Sequence, residues 1–163
     1  MPLPAPSPPL AELVPHRGPM RLLDEVVSHG ERRIECRTTI RGDHAFLQDG
    51  KVESVVCVEL VAQAVAAYVG YQDWLAQRKP QLGFIVSCRE ATFEAPFLSP
   101  GDTLTVEASH TWGESHAGSF KGRVSREGVT IAHVELGVYR GPLGAEVETA
   151  HQGSPSETAR QAE

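Results

Sequence analysis

What the chain lacks narrows it first. Its three cysteines, Cys36, Cys57 and Cys88, stand far apart, with no Cys-x-x-Cys pair. Such an odd, unpaired set argues for a reducing compartment and against a secreted disulfide scaffold. The seven histidines are scattered, none at metal-ligand spacing, so no metal is expected. Basic residues form no run, and the net charge is −6. A nucleic acid would be repelled by such a surface, and none is expected as a partner. The most apolar stretch, Val55 to Gly70, is interrupted by Glu59 and Gln63 and is too short for a comfortable membrane span. The opening residues are proline-rich, with no basic residue before Arg17 and no apolar core. They do not read as a signal peptide, and the expected location is the cytoplasm.

What is present divides into three parts. Residues 1–9 are expected to be extended or disordered because of their prolines. Residues 10–140 have the length and apolar content of one domain. Residues 141–163 are rich in Glu, Ala, Ser, Gly and Gln with no apolar periodicity, and are expected to be a disordered acidic tail. Four glutamates against one arginine place half of the net charge in that tail.

Inside the domain, Arg21 to Ser28 and Arg33 to Ile40 read as strands, the second with Ile34, Cys36, Thr38 and Ile40 on one face. A loop through Gly42 and Asp49-Gly50 leads to one long helix, from about Ser54 to Gln77, stopped at Lys79-Pro80. Four strands follow: Leu82 to Phe93, Thr103 to Trp112, Ser119 to Ser125 and Val129 to Arg140. One helix among six or so antiparallel strands is an α+β arrangement. That helix is apolar on every side from Val55 to Gly70, so it is expected to be covered all round. A curled antiparallel sheet wrapped around one long central helix, the hotdog architecture, satisfies that need.

Two blocks carry a family resemblance. Val14-Pro15-His16-Arg17-Gly18-Pro19-Met20 followed by Leu22-Leu23-Asp24-Glu25-Val26 resembles the opening of hotdog-fold 3-hydroxyacyl-acyl-carrier-protein dehydratases. His44-Ala45-Phe46-Leu47, leading to Glu59-Leu60-Val61-Ala62-Gln63-Ala64, resembles their catalytic loop and helix. The likeness is strongest to the dehydratase-like subunits of aryl polyene biosynthesis clusters. Two features depart from the fatty-acid enzymes. Glu53-Ser54 stands where they carry Pro-Gly at the helix start, and the spacing from His44 to Glu59 is one residue longer.

The resemblance implies dehydration of a 3-hydroxyacyl thioester, with His44 and Glu59 as the catalytic pair. Such a reaction needs a base at C2, an acid at the C3 hydroxyl and donors for the enolate oxygen. His44 suits the proton abstraction, an ordinary loop histidine being the competing reading. Glu59, set in an apolar helix, is expected to be buried and so to favour its protonated form, as suits a proton donor. A structural carboxyl beside a buried partner is its competing reading. Gln63, one turn on, is positioned to orient Glu59 or to bond backbone across a dimer. Ser54 and Val55 stand at the helix start, where open amides could hold the thioester oxygen, although Ser54 also reads as a plain N-cap.

No cofactor is expected, the substrate arriving on phosphopantetheine from acyl carrier protein or as acyl-CoA. Arg17, Arg21 and Arg89 are the candidates for meeting an acidic carrier. A homodimer, or a heterodimer with another hotdog subunit, is expected, with no membrane association. Two competing functions remain open: a hotdog acyl thioesterase, and a non-catalytic partner subunit of a heterodimeric dehydratase.

Overall fold

The computed structural model describes residues 8–79, 81–114 and 116–141. The proline-rich start, apart from its last two residues, and the acidic tail beyond Gly141 lie outside the described residues.

A short helix, α1 (Leu10–Leu13), and a 3-10 turn (Gly18–Met20) precede β1 (Glu25–His29) and β2 (Arg33–Thr39). A two-residue strand β3 (Val52–Glu53) leads into α2 (Val56–Leu75), followed by β4 (Gly83–Phe93), β5 (Phe97–Leu98), β6 (Thr103–Glu114), β7 (Ala117–Arg126) and β8 (Val129–Arg140). Six strands form one sheet in the order β1-β2-β6-β7-β8-β4, with β3 and β5 as a separate ribbon. All pairings are antiparallel. Helix α2 lies across β2, β6, β7 and β8, which is the expected hotdog arrangement.

Alternation builds the buried face. Ile34, Cys36, Thr38 and Ile40 are all buried, as are Leu104, Val106 and Ala108 of β6 and Ala132, Val134 and Leu136 of β8. Leu60, Val61 and Ala64 of α2 close against them with no exposed surface. Burial of each such Leu or Val contributes roughly 1.5–3 kcal/mol. Two glycines set how near the helix comes. A Cβ at Gly122 of β7 would overlap the methyls of Val61, and one at Gly70 of α2 would strike the Leu13 carbonyl. Removing the side chain lets the sheet approach α2 from one side and α1 from another.

Burial drives the thiols of Cys36 and Cys57 up to about 12, so both are core residues rather than nucleophiles. Among the described residues no His, Cys, Asp or Glu cluster could hold a metal ion. No described helix is long and apolar enough to cross a membrane.

Several expectations are corrected. The first strand begins at Glu25 rather than Arg21, because side chains satisfy the Leu22 backbone. Its N–H goes to Gln63 and its carbonyl accepts from Thr38. The helix begins at Val56 rather than Ser54, since the Ser54 amide continues the β3–β5 ribbon by donating to the Pro96 carbonyl at 3.1 Å. Nor is α2 covered all round within one chain. Val58, Glu59, Ala62, Ala66 and Val69 form a half-buried stripe. Among the described residues, strand β4 is hydrogen-bonded only to β8 and is exposed along nearly its whole length, Val86 retaining 62% of its surface.

Candidate active site

Helical spacing brings Glu59 and Gln63 onto one face of α2, and Gln63 anchors the group. Its side chain is fully buried. The Oε1 atom accepts the Leu22 N–H at 2.8 Å, while Nε2 donates to the Met20 carbonyl at 2.7 Å and to Glu59 Oε1 at 2.8 Å. One end faces a donor and the other an acceptor, so the amide has a single workable orientation. Gln63 therefore both bonds backbone, within its own chain, and orients Glu59.

A second group reaches the same oxygen. His16 Nε2 lies 3.2 Å from Glu59 Oε1. The segment that carries His16 is fixed by Arg17, whose guanidinium folds back to donate to the carbonyls of Val14 and His16. Among the described residues no hydrogen bond is made to Oε2. The expectation of a sealed carboxyl is corrected: Glu59 keeps 31% of its side chain exposed, and its neighbours are donors rather than a wholly apolar wall.

Glu59 is also where two clefts meet. One, of about 550 Å³, is lined by Phe46, Lys51, Val55, Val58, Glu59 and Phe97. Its rim is shaped by the tight Gln48–Lys51 turn, in which Asp49 and Gly50 both take positive φ, and by Lys51, whose ammonium lies 4.9 Å from the Phe97 ring centre. The other, of about 510 Å³, runs between α2 and β4, with Ala62, Ala66, Val69, Phe84 and Ile85 among its walls and His16 beside Glu59. Both clefts are mostly apolar within and carry charged residues, Lys51 and Glu53 in the first and Arg17 and Asp73 in the second, and Glu59 belongs to both.

The remaining expected residues are placed as follows. His44 sits half-buried in the loop after β2, and among the described residues no hydrogen bond or ion pair joins it to Glu59; its neighbour Phe46 lines the first cleft. His44 Nδ1 accepts the Phe46 N–H at 3.2 Å, and Nε2 is buried without a partner. Burial lowers the His44 pKa, against an opposing effect of Asp43, so the ring is held neutral. With Nδ1 accepting, the neutral ring carries its proton on Nε2. Acting as a base there requires the other tautomer and loss of the Phe46 bond. Ser54 does not cap the helix: Val55 is the cap residue, and the buried Ser54 Oγ has no partner. Since the Ser54 amide serves Pro96, the open amides of α2 are those of Val55 and Val56, both walls of the first cleft. Arg17, Arg21 and Arg89 are all exposed.

His16 is the residue that the sequence reading left without a role. Its signal was the Pro15-His16-Arg17 motif, which marked a family opening but gave no hint that the segment folds back onto Glu59.

Comparison with known proteins bears directly on this arrangement. The family described as ApeP-like, ApeP dehydratase, matches over residues 8–151. The chain belongs to the ApeP-like dehydratase family. It is 33% identical over 130 residues to the 3-hydroxyacyl-acyl-carrier-protein dehydratase FabZ of Erythrobacter litoralis, covering 76% of this chain and 84% of that one. The FabZ of Ruminiclostridium cellulolyticum is 30% identical over 145 residues, covering 85% and 90%. Among solved structures, the dehydratase heterocomplex ApeI:P from Xenorhabdus doucetiae superposes with a TM-score of 0.81 at 23% identity, over 90% of this chain and 99% of that one. A hypothetical thioesterase protein with coenzyme A from Streptococcus pneumoniae shares the fold more distantly, with a TM-score of 0.57 at 9% identity, over 72% and 84%. This ApeP-like dehydratase is therefore an enzyme of the hotdog class, with Glu59 on its helix.

Proposed function

We propose that this ApeP-like dehydratase removes water from 3-hydroxyacyl thioesters carried on the phosphopantetheine arm of an acyl carrier protein. The observation that carries the reading is Glu59, held by Gln63 and His16 where the two clefts meet. The arm enters by the first cleft, the acyl chain lies along the second, and the C2–C3 bond rests beside Oε2.

The step balances with two groups. His44, in its Nδ1–H tautomer, takes the C2 proton on Nε2, and the electron pair forms the C2–C3 double bond. Protonated Glu59 gives its proton to the C3 hydroxyl, which leaves as water. His44 then returns its proton to Glu59 through solvent. The amides of Val55 and Val56 serve the thioester oxygen, the role expected of Ser54 and Val55 now falling one residue later. Gln63 is an orienting group, no cofactor takes part, and the cytoplasm is the place assigned.

Among the described residues no hydrogen bond or ion pair joins His44 to Glu59, and the reading takes two chains: His44 of one subunit faces Glu59 of the next. The bare edge of β4 and the half-covered stripe of α2 are the surfaces a second hotdog subunit would cover. A second reading, a subunit that lends Glu59 to a heterodimeric dehydratase, is favoured by the Ser54 amide being spent on Pro96. The relative from Xenorhabdus doucetiae is itself a heterocomplex.

Incubating the purified chain with a 3-hydroxyacyl carrier protein and weighing the product separates the cases. Loss of water supports dehydration and release of free acid supports a thioesterase. No reaction until a second hotdog subunit is added supports the partner role.

A further inference from the structure

We propose that His16 is a positioning residue for Glu59, fixing the carboxyl by one oxygen so that the other alone meets the substrate. This rests on the dehydratase reading above and adds a residue to it.

Gln63 alone does not fix a carboxylate. A single donor at one oxygen leaves the group free to turn about its last side-chain bond. His16 adds a second contact at the same oxygen, its Nε2 at 3.2 Å, from a separate part of the chain, the stretch between α1 and the 3-10 turn. Two nitrogens from separate parts of the chain hold Oε1 between them, and no hydrogen bond from the described residues reaches Oε2 of a side chain that lines both clefts.

The arm that carries His16 is itself held independently of Glu59. Upstream, the Leu13 backbone rests on Gly70 of α2, at a distance that no side chain at position 70 would allow. Downstream, Gln63 grips Met20 and Leu22. Between them, the Arg17 guanidinium closes over the Val14 and His16 carbonyls. His16 is thus presented by a preformed support, the condition under which a contact can set geometry rather than follow it.

The other ring nitrogen sets the tautomer. Among the described residues the buried His16 Nδ1 has no hydrogen-bond partner. Placing the proton there in the neutral ring would strand a buried N–H while Nε2 turned its lone pair to an acceptor. The neutral ring therefore carries its proton on Nε2, the nitrogen 3.2 Å from Glu59 Oε1.

Glutamine, whose side-chain N–H reaches about as far as histidine Nε2, should replace His16 in this role, whereas alanine should not. In the full chain, with the second subunit if one is required, His16→Ala is expected to lower kcat by about 10- to 100-fold with KM changed less than about twofold. His16→Gln should restore most of that loss, with the melting temperature similar in all three proteins. Added to Glu59→Gln, His16→Ala should lower kcat no further, because it acts through Glu59. Wild-type kcat in His16→Ala would overturn the proposal. So would a loss that glutamine fails to rescue, or one that adds fully to Glu59→Gln. If the wild-type protein removes no water, the dehydratase reading itself falls. His16 is then judged by the carboxyl carbon resonance of Glu59 at fixed pH, which should move in His16→Ala, an unmoved resonance rejecting the contact.

Discussion

Glu59 meets the Gln63 amide and the His16 ring at one oxygen, and this decides what its replacement should do. In Glu59→Gln the amide oxygen can still accept from Gln63 and lie against His16, while the new amino group takes the place of Oε2. The fold should keep its stability to within about 1 kcal/mol, as for a change at a partly exposed position. Proton delivery is lost, and dehydration should fall by about 10²–10⁴-fold, the usual contribution of one general acid. His44→Ala should show a comparable loss with little change in melting temperature, because the residue sits in a loop and packs mainly against Phe46. Turnover and melting curves on these two variants check both statements. A Glu59→Gln protein that melts far below the wild type would return Glu59 to a structural role.

Helix α2 has two unlike ends, and the second is aromatic. His29 of β1 stacks on Tyr68, with ring centres 5.3 Å apart, and leans on Tyr71 at 4.2 Å. Burial lowers the His29 pKa, as it does that of His44. The unfolded chain therefore binds protons at a pH where the folded chain does not. Stability should be fully present above the free-histidine range of ~6.5 and should decline as pH falls through the lowered folded values. Denaturant melts between pH 7.5 and 5 check this, and His29→Phe should flatten part of the slope. The elements themselves were largely legible in the sequence. Alternation along β2 and β8 and the apolar run of α2 report burial directly, and burial is what shapes them. The start of β1 was not legible, because Leu22 bonds to Gln63 across forty-one positions of sequence. The meeting of His16 with Glu59 was hidden for the same reason: it depends on where a loop lands, and local pattern does not record that. His44 was legible as a residue type, but its partners were not: its ring accepts from the Phe46 N–H, a local loop contact that no alternation or helical period records.

For the whole molecule, the exposed face formed by β4 and the α2 stripe is too apolar to be left in water. Leu82 and Val86 each keep more than 60% of their surface, and Ile85 and Phe93 are also exposed. Contiguous apolar surface of this kind marks an interaction site. The protein should therefore scatter light with at least twice the chain mass at micromolar concentration, alone or with a second hotdog subunit. Val86→Lys should shift it toward the single chain and remove activity together with assembly. A monomer that still removes water would show that both groups can be reached within one chain.

The order β1-β2-β6-β7-β8-β4 also imposes a timetable on synthesis. Strand β4 is made soon after the helix, yet its one neighbour in the sheet, β8, is the last strand of the folded body to be made. Throughout the translation of residues 94–128 the nascent chain carries an eleven-residue strand, with Phe84, Ile85 and Val86 near its start and neither edge paired. Such a strand is a target for chaperones and for aggregation. Ribosome-bound chains halted before Val129 should remain open to protease at β4, and chains released after Arg140 should become protected there.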